Sequence, residues 1–164
     1  MAVKSAGILL FRNQTGTVEV LLAHPGGPFW SKKDNGSWSV PKGEYLDSEN
    51  PLDAARREFK EETGIELSGS FYELTPVRRK SGKVISVWCL QGDADPEKCV
   101  SNVFKLEWPP KSGNFKEFPE VDKVEWFPLE SARLKILPGQ LSFLLQFATL
   151  YNSGTFNQPD KNVS

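Results

Sequence analysis

Residues 43–65 read GEYLDSENPLDAARREFKEETGI and contain the clearest structural signal in the chain. It predicts a helix over Pro51–Thr63. Asn50 can cap the first turn, and Pro51 suits the first helical position because its missing N–H would have no partner there. Gly64 supplies the stop.

Three glutamates occupy the last turns of this predicted helix. Glu58, Glu61 and Glu62 stand at positions i, i+3 and i+4, so their carboxylates project from one face. A solvated acidic face is one interpretation. However, the helix dipole disfavours negative charge near a C-terminus, and like charges at i, i+4 cost about 0.2–0.5 kcal/mol per pair. A cation would compensate this repulsion, and clustered carboxylate oxygens favour hard cations such as Mg²⁺ or Mn²⁺.

Apolar runs around this helix predict strands. Six such runs are present, at residues 5–11, 18–23, 71–79, 83–91, 100–108 and 121–127. Loops are predicted at residues 24–37 and 109–120, and apolar spacing predicts a second helix over residues 138–151. The pattern indicates an α/β or α+β fold, a mixed sheet with helices packed on it. We expect one domain over residues 1–151 and a polar, flexible tail over residues 152–164.

Composition excludes several classes of function. Twenty Lys and Arg against 21 Asp and Glu give a net charge of −1, too little for a global basic field that would hold nucleic acid or an anionic membrane. Two cysteines are too few for a disulfide framework or a four-thiolate zinc site. The sole histidine, His24, excludes two-histidine metal sites, and we interpret it as structural or near the substrate. We expect a cytoplasmic protein with no membrane segment and no obligatory protein partner.

Residues 43–65 resemble the box of the Nudix hydrolase family, G-x5-E-x7-R-E-U-x-E-E-x-G-U, in which U is a bulky apolar residue. Every fixed position of the box is matched: Gly43, Glu49, Arg57, Glu58, Phe59, Glu61, Glu62, Gly64 and Ile65. The order of strands and the C-terminal helix extend the resemblance over residues 5–151. It implies a Nudix-type α/β/α sandwich with a central mixed β-sheet.

The resemblance also implies a chemistry, the metal-dependent hydrolysis of a pyrophosphate linkage in a nucleoside diphosphate derivative. The implied metal ligands are one backbone carbonyl and the helix carboxylates, namely Gly43, Glu58, Glu61 and Glu62. One of these glutamates would be the general base. Arg57 and Glu49 would pair and hold the carboxylates in register. An ordinary surface ion pair is the alternative for those two residues.

Members of this family often use one further acid outside the box. Four acids are candidates: Glu107, Glu117, Glu120 and Glu125. Glu120 is favoured as metal ligand or base, because it precedes the strand at residues 121–127 in a loop that can fold over the cleft. Glu125 lies inside that strand. The alternative is a solvated loop acid.

Basic and aromatic side chains near the box are candidates for substrate binding. Five cations would form a basic rim: Lys42, Arg78, Arg79, Lys80 and Lys83. Phe29 and Trp30, in a Gly- and Pro-rich loop, would stack on a base. Solvated hairpin cations are the alternative for the rim. The other tryptophans in predicted strands, Trp38, Trp88 and Trp126, are expected in the core.

The run WSVPKGE at residues 38–44 resembles the diadenosine polyphosphate and diphosphoinositol polyphosphate branches of the family. The diadenosine polyphosphate hydrolase branch is the closest, which predicts hydrolysis of diadenosine tetraphosphate to ATP and AMP. Lys83 stands where many members of that branch have a tyrosine, and Ser81 stands where ADP-ribose members have a proline. Hydrolysis of a nucleoside triphosphate or of ADP-ribose, and a non-catalytic nucleotide-binding regulator, therefore stay open.

Overall fold

A mixed β-sheet forms the centre of the fold. The computed structural model describes residues 3–14 and 16–157. Nine strands are present in these residues: β1 (Lys4–Gln14), β2 (Thr17–Pro25), β3 (Lys42–Tyr45), β4 (Tyr72–Glu73), β5 (Val77–Arg78), β6 (Val84–Gln91), β7 (Val103–Glu107), β8 (Phe115–Pro119) and β9 (Val121–Pro128). Seven of them form one sheet in the order β4-β6-β1-β2-β9, with β3 paired to β1 and β5 paired to β6. Strands β1 and β6 are parallel, whereas β1 and β2 are antiparallel.

Helices cover both faces of the sheet. They are α1 (Pro51–Thr63), α2 (Leu129–Lys135) and α3 (Leu141–Asn152). On one face, Ala55 and Phe59 of α1 are fully buried in a cluster with Ile8 of β1. On the other face, the rings of Phe147 and Phe11 lie 4.8 Å apart between α3 and β1. This layering confirms the expected α/β/α sandwich.

Helix α1 begins and ends where the sequence predicts. The Asn50 side chain accepts hydrogen bonds from the backbone N–H groups of Leu52 and Asp53, at 3.0 and 3.2 Å. At the other end Gly64 adopts a φ of 79°, in the left-handed region that favours glycine, and its N–H donates to the carbonyl of Lys60. Both signals are local, which is why they are readable in the sequence.

The run at residues 71–79 does not form the continuous strand that its apolar content predicts. It is divided into β4 and β5, both paired to β6. Between them, the Gln146 side chain of α3 accepts from the Thr75 N–H at 2.7 Å and donates to the Thr75 carbonyl at 3.0 Å. Pro76 follows and has no N–H to offer. At Thr75, the Gln146 side chain thus takes the place of the backbone hydrogen bonds that a continuous strand would make.

The predicted loop over residues 109–120 contains strand β8, and this expectation was wrong. Strands β7 and β8 form a separate antiparallel pair, which we call the arm (residues 103–119), with Phe104 opposite Phe118. The N–H of Trp108 donates to the carbonyl of Asn114 at 2.8 Å and closes the turn. The prolines, the glycine and the charged residues in and before β8 are typical of a loop, so the sequence of this five-residue strand does not predict it.

Helix α2 was also missed, although Glu130 in its first turn and Lys135 in its last turn are the charges that suit a helix dipole. Near the C-terminus, a short 3-10 turn at Pro138–Gln140 precedes α3, and Phe156 packs on Phe11 at a ring distance of 4.7 Å. Residues 158–164 of the expected tail lie outside the described residues. No helix within residues 3–14 and 16–157 is long and apolar enough to cross a membrane.

Candidate active site

The glutamates of α1 meet the first residues of β3. A Cβ atom built on Gly43 would lie 1.8 Å from Oε2 of Glu58, so only glycine allows this carboxylate to approach the strand. One helical turn further along, Oε2 of Glu62 accepts a hydrogen bond from the Lys42 N–H at 3.1 Å. The pairing of β3 with β1 fixes this edge, with Lys42 opposite Gly7. The backbone of β3 therefore forms one wall of a cluster of carboxylates.

Arg57 links the acids of α1 to the loop that precedes the helix. Its Nε and Nη2 atoms donate to the two oxygens of Glu49 at 2.8 and 2.9 Å. Its Nη1 atom donates to Glu58 at 2.8 Å and to Glu61 at 3.1 Å. Arg57 thus engages both oxygens of Glu49 but only Oε1 of Glu58 and Oε1 of Glu61. The guanidinium thus fixes the orientation of two predicted metal ligands.

Glu120 is the candidate acid outside the box that the fold brings to this cluster. It lies in the turn between β8 and β9, where its N–H donates to the carbonyl of Asn102 at 2.8 Å. The N–H of Asn102 in turn donates to the carbonyl of Glu61 at 2.8 Å, and the Glu120 carbonyl accepts from Gly26 at 2.9 Å. Backbone hydrogen bonds therefore connect the end of α1, Glu120 and the loop after β2.

The other three candidate acids are placed elsewhere. Glu107 and Glu117 lie in the two strands of the arm, opposite Phe115 and Lys105. Glu125 lies within β9 and lines a different cleft. The structure brings none of them into the group formed by Glu58, Glu61, Glu62 and Glu120.

Burial and mutual repulsion raise the pKa of several carboxyls in this group. Burial, with the charges of Glu58 and Glu120, raises the pKa of Glu62 to about 8, although Lys42 opposes the shift. Burial and the neighbouring charge of Glu61 likewise raise the pKa of Glu58, against the influence of Arg57. The pKa of Glu120 is raised by burial and by Glu61. The cations of the chain therefore leave the negative charge of this group under-compensated.

The donor atoms of this group suit a hard divalent cation. Four glutamate side chains and the Gly43 carbonyl offer only oxygen donors, the type that Mg²⁺ and Mn²⁺ prefer. In the described part of the chain, no three acidic, histidine or cysteine side chains are already arranged to hold a metal ion. Glu58 and Glu61 instead share Nη1 of Arg57. Metal binding would require rotation of these side chains and would offset the negative charge of the group.

Three cations of the predicted basic rim, Lys42, Arg79 and Lys83, lie close together near β3 and the start of β6. Burial, followed by the charge of Lys83, lowers the pKa of Lys42, and Arg79 contributes to the same shift. The Lys83 ammonium lies 3.9 Å from a Glu44 oxygen. The other two members of the rim, Arg78 and Lys80, are exposed on β5 and in the turn after it.

The two aromatic residues proposed to stack on a base differ in their surroundings. Phe29 is 61% exposed, and its ring meets that of Trp108 at a centroid distance of 5.4 Å. The ring of Trp30 is covered by the Lys33 ammonium at 5.0 Å. The sequence reasoning missed Trp108, whose position beside Pro109 at the end of an apolar run was the available signal. Of the tryptophans expected in the core, Trp38 and Trp88 are buried and Trp126 is partly buried.

His24 is a buried structural residue. Its Nδ1 atom lies 2.8 Å from an oxygen of Asp122, and Nε2 lies 2.7 Å from the carbonyl oxygen of Lys33. Its ring also meets the Trp38 ring edge-on at 5.0 Å. Because both ring nitrogens are engaged, the imidazole joins the loop after β2 to the start of β9.

Comparisons with known proteins find relatives in sequence and in fold. A bis(5'-nucleosyl)-tetraphosphatase [asymmetrical] of Rattus norvegicus is 34% identical over 100 residues, which are 54% of this chain and 64% of that protein. An m7GpppN-mRNA hydrolase of Saccharomyces cerevisiae is 28% identical over 113 residues, 68% of this chain and 10% of that protein. The chain thus spans less than two thirds of the length of these curated relatives. The structure of a C. elegans Ap4A hydrolase binary complex shares the fold, with a TM-score of 0.64, 23% identity, and coverage of 93% of this chain and 99% of the other.

The family comparison covers most of the chain. Residues 1–147 match the NUDIX domain family, and this range contains the whole box at residues 43–65 together with Glu120. The chain belongs to the NUDIX domain family.

Proposed function

We propose that this chain is a metal-dependent pyrophosphohydrolase that cleaves a pyrophosphate linkage in a nucleoside diphosphate derivative. One observation carries the proposal. Four glutamates from two distant parts of the chain form a single under-compensated negative group against a glycine: Glu58, Glu61, Glu62 and Glu120. A purely structural acidic helix would gain nothing from this arrangement, because the repulsion costs stability.

The side chains have separable roles in this mechanism. When bound, Mg²⁺ or Mn²⁺ would neutralise phosphate charge and lower the pKa of a bound water. The four glutamates and the Gly43 carbonyl would hold the ion. Arg57 keeps Glu58 and Glu61 in place through Nη1 while Glu49 anchors its other nitrogens. In the described part of the chain no cation pairs with the Glu120 carboxylate, which suits it as ligand or as acceptor of the water proton.

For the substrate we infer a dinucleoside polyphosphate, cut as diadenosine tetraphosphate to ATP and AMP. The proximity of Lys42, Lys83 and Arg79 supports it, because three neighbouring cations exceed what a simple diphosphate needs. The similarity to the rat tetraphosphatase and to the nematode Ap4A hydrolase fold supports it as well. A single carboxylate cluster at one edge of the sheet addresses one phosphorus, which favours asymmetric cleavage.

A turnover panel with product chromatography tests both levels of the proposal. The panel contains diadenosine tetraphosphate, a nucleoside triphosphate, ADP-ribose and a capped RNA, each with Mg²⁺. ATP plus AMP is the expected product pair, and two ADP molecules would contradict the cleavage geometry. A higher kcat/KM for another member of the panel would overturn the substrate. Lack of turnover on every member would contradict hydrolysis and favour a nucleotide-binding regulator.

A pair of substitutions links turnover to the carboxylate group. Glu61→Gln should lower kcat by at least about hundredfold, a loss of about 2.7 kcal/mol in transition-state stabilisation. Glu66→Gln is the matched control, because Glu66 is exposed and pairs with Lys60 at 2.9 Å outside the cluster. Wild-type turnover in Glu61→Gln would show that this ligand assignment is wrong.

We also propose a cytosolic location and small-molecule nucleotides as the binding partners. Both cysteines, Cys89 and Cys99, are free thiols, as expected for a reducing compartment. Cell fractionation that finds the protein in an oxidising compartment would contradict the cytosolic location.

A further inference from the structure

We propose that Phe29 and Trp108 form a two-ring corner that binds the base of the substrate, and that the arm makes the site selective for phosphate chains that carry a base. The inference rests on the proposed function, since it assumes a nucleotide at the carboxylate cluster. It concerns recognition rather than hydrolysis and can therefore fail separately.

The two rings are arranged as a corner open to solvent. Their centroids lie 5.4 Å apart and their planes meet at 77°. Phe29 is 61% exposed, so one face of its ring is open to a ligand. The Trp108 ring lies beside it, nearly perpendicular to the Phe29 ring. A planar base stacked on Phe29 would meet the Trp108 ring at the edge-to-face angle that aromatic groups favour.

The corner is fixed relative to the carboxylates. Gly26 donates its N–H to the carbonyl of Glu120 at 2.9 Å. Phe29 follows three residues later, so chain reach limits it to about 10 Å from that contact. A Cβ on Gly26 would lie 1.8 Å from the Pro119 oxygen, and one on Gly27 would lie 3.1 Å from the Phe104 ring. The loop after β2 and the arm therefore touch backbone to backbone and hold the two rings in register with Glu120.

Strand alternation shows which side of the arm takes part. Phe104 and Trp108 are separated by four residues on and beyond β7, so they lie on one face, and both contact the loop after β2. Phe115 is opposite Glu107 in the register and lies on the other face of the arm. Trp30 is a poorer platform than Phe29, because the Lys33 ammonium already occupies its ring face.

The chemistry of the corner defines the ligand class. Stacking on an aromatic ring accepts every nucleobase, because each base presents a π face. A phosphate chain without a base has no ring that could stack in the corner. The corner therefore fits nucleoside polyphosphates, with the base on the β2 side of the carboxylates and the phosphates directed to Lys42 and Lys83.

Equilibrium binding separates this inference from the proposed hydrolysis. Titration calorimetry in Mg²⁺ would compare a non-hydrolysable methylene-bridged ATP analogue with inorganic tripolyphosphate. Trp108→Ala and Phe29→Ala should each weaken the analogue about tenfold or more, the range that loss of one stacked ring produces, and should change tripolyphosphate less than about twofold. Trp108→Phe should recover most of the affinity. Phe115→Ala, which removes an exposed ring from the opposite face of the same arm, is the matched control and should change neither ligand.

Three results of the titrations would overturn the corner. They are equal weakening of both ligands, no change in either ligand, and the same loss in Phe115→Ala. Phe29→Ala keeps the test decisive if Trp108→Ala unfolds, because Phe29 lies on an exposed loop. A chain that binds the analogue through Trp108 but hydrolyses no member of the turnover panel would contradict the proposed function and leave the corner intact. Hydrolysis of base-free polyphosphate at the same rate as diadenosine tetraphosphate would overturn the corner and leave the proposed function intact.

Discussion

Arg57 is the residue on which the order of the carboxylates depends. It contacts Glu49, Glu58 and Glu61 at once, two of them proposed metal ligands. Arg57→Lys cannot reproduce this fork, because an ammonium has no planar array of donors. We expect a loss of about 10–100-fold in metal affinity or kcat, measured by Mg²⁺ titration of turnover. Arg56→Ala is the control, since Arg56 is exposed and donates to the Leu67 carbonyl at 3.0 Å. An equal loss in both variants would contradict the role of Arg57.

Glu62 makes the stability of the metal-free chain depend on pH. Its pKa is raised from 4.5 to about 8 in the folded protein, so between these values the folded state holds a proton that the unfolded state has lost. The free energy of unfolding should therefore fall as pH rises through this window. Glu62→Gln should flatten that fall and raise Tm at pH 8.5 by at least about 2–4 °C, the shift that about 1 kcal/mol gives in a chain of this size. Thermal melts in chelator from pH 5 to 8.5 measure it, and parallel profiles would refute it.

At the scale of elements, the contact between the loop after β2 and the arm sets the position of Glu120. Gly26→Ala would place a Cβ 1.8 Å from the Pro119 oxygen, so the turn that carries Glu120 must shift. We expect kcat to fall at least about tenfold, as for Glu120→Gln, because each variant removes the same carboxylate from the cluster. The double variant should lose little more than either single one, since the two changes act on one group.

Gly36→Ala is the control for this substitution. Gly36 lies in the same loop with a φ of 75°, but a Cβ there would meet no atom within 4 Å. Its backbone strain should lower Tm and leave kcat unchanged. Additive losses in the double variant would mean that Gly26 acts elsewhere than through Glu120.

His24 joins the same loop to β9 and should matter for stability rather than chemistry. His24→Ala removes the contacts of the buried imidazole with Asp122 and the Lys33 carbonyl and should cost about 1–3 kcal/mol of unfolding free energy. Most of kcat should remain, because both ring nitrogens contact oxygen atoms of the protein itself. Denaturant titration and turnover assays measure the two effects. A loss of kcat as large as that of Glu61→Gln would make His24 the base.

For the whole molecule, a divalent cation should couple activity to stability. Turnover should vanish in excess chelator and return with Mg²⁺ or Mn²⁺, since the carboxylates alone cannot activate water. Mg²⁺ at about a hundredfold excess over its Kd should also stabilise the fold by about 2.7 kcal/mol, which is about 5–10 °C in Tm. Glu61→Gln should reduce this shift. Full turnover in excess chelator would contradict the metal-dependent mechanism.

Helix α1 and the acids that it carries follow from local sequence. Asn50, Gly64 and the three glutamates act within one or two helical turns, so their effects are local and their spacing alone predicts one acidic face. The box also identified the family, because its fixed positions coincide with contacts inside the same short segment, such as that between Arg57 and Glu49. The hairpin of β1 and β2 was readable for the same reason.

The distant residues that join this segment are set by tertiary contacts. The loop position favoured Glu120 among the four candidate acids, and its backbone hydrogen bonds with Asn102 and Gly26 place it beside α1. The corner of Phe29 and Trp108 and the interruption of the run at residues 71–79 by Gln146 likewise depend on residues more than 70 positions apart. The path of a loop and the packing of an arm set such contacts. Their free energy depends on the whole fold rather than on the propensity or periodicity of any one segment.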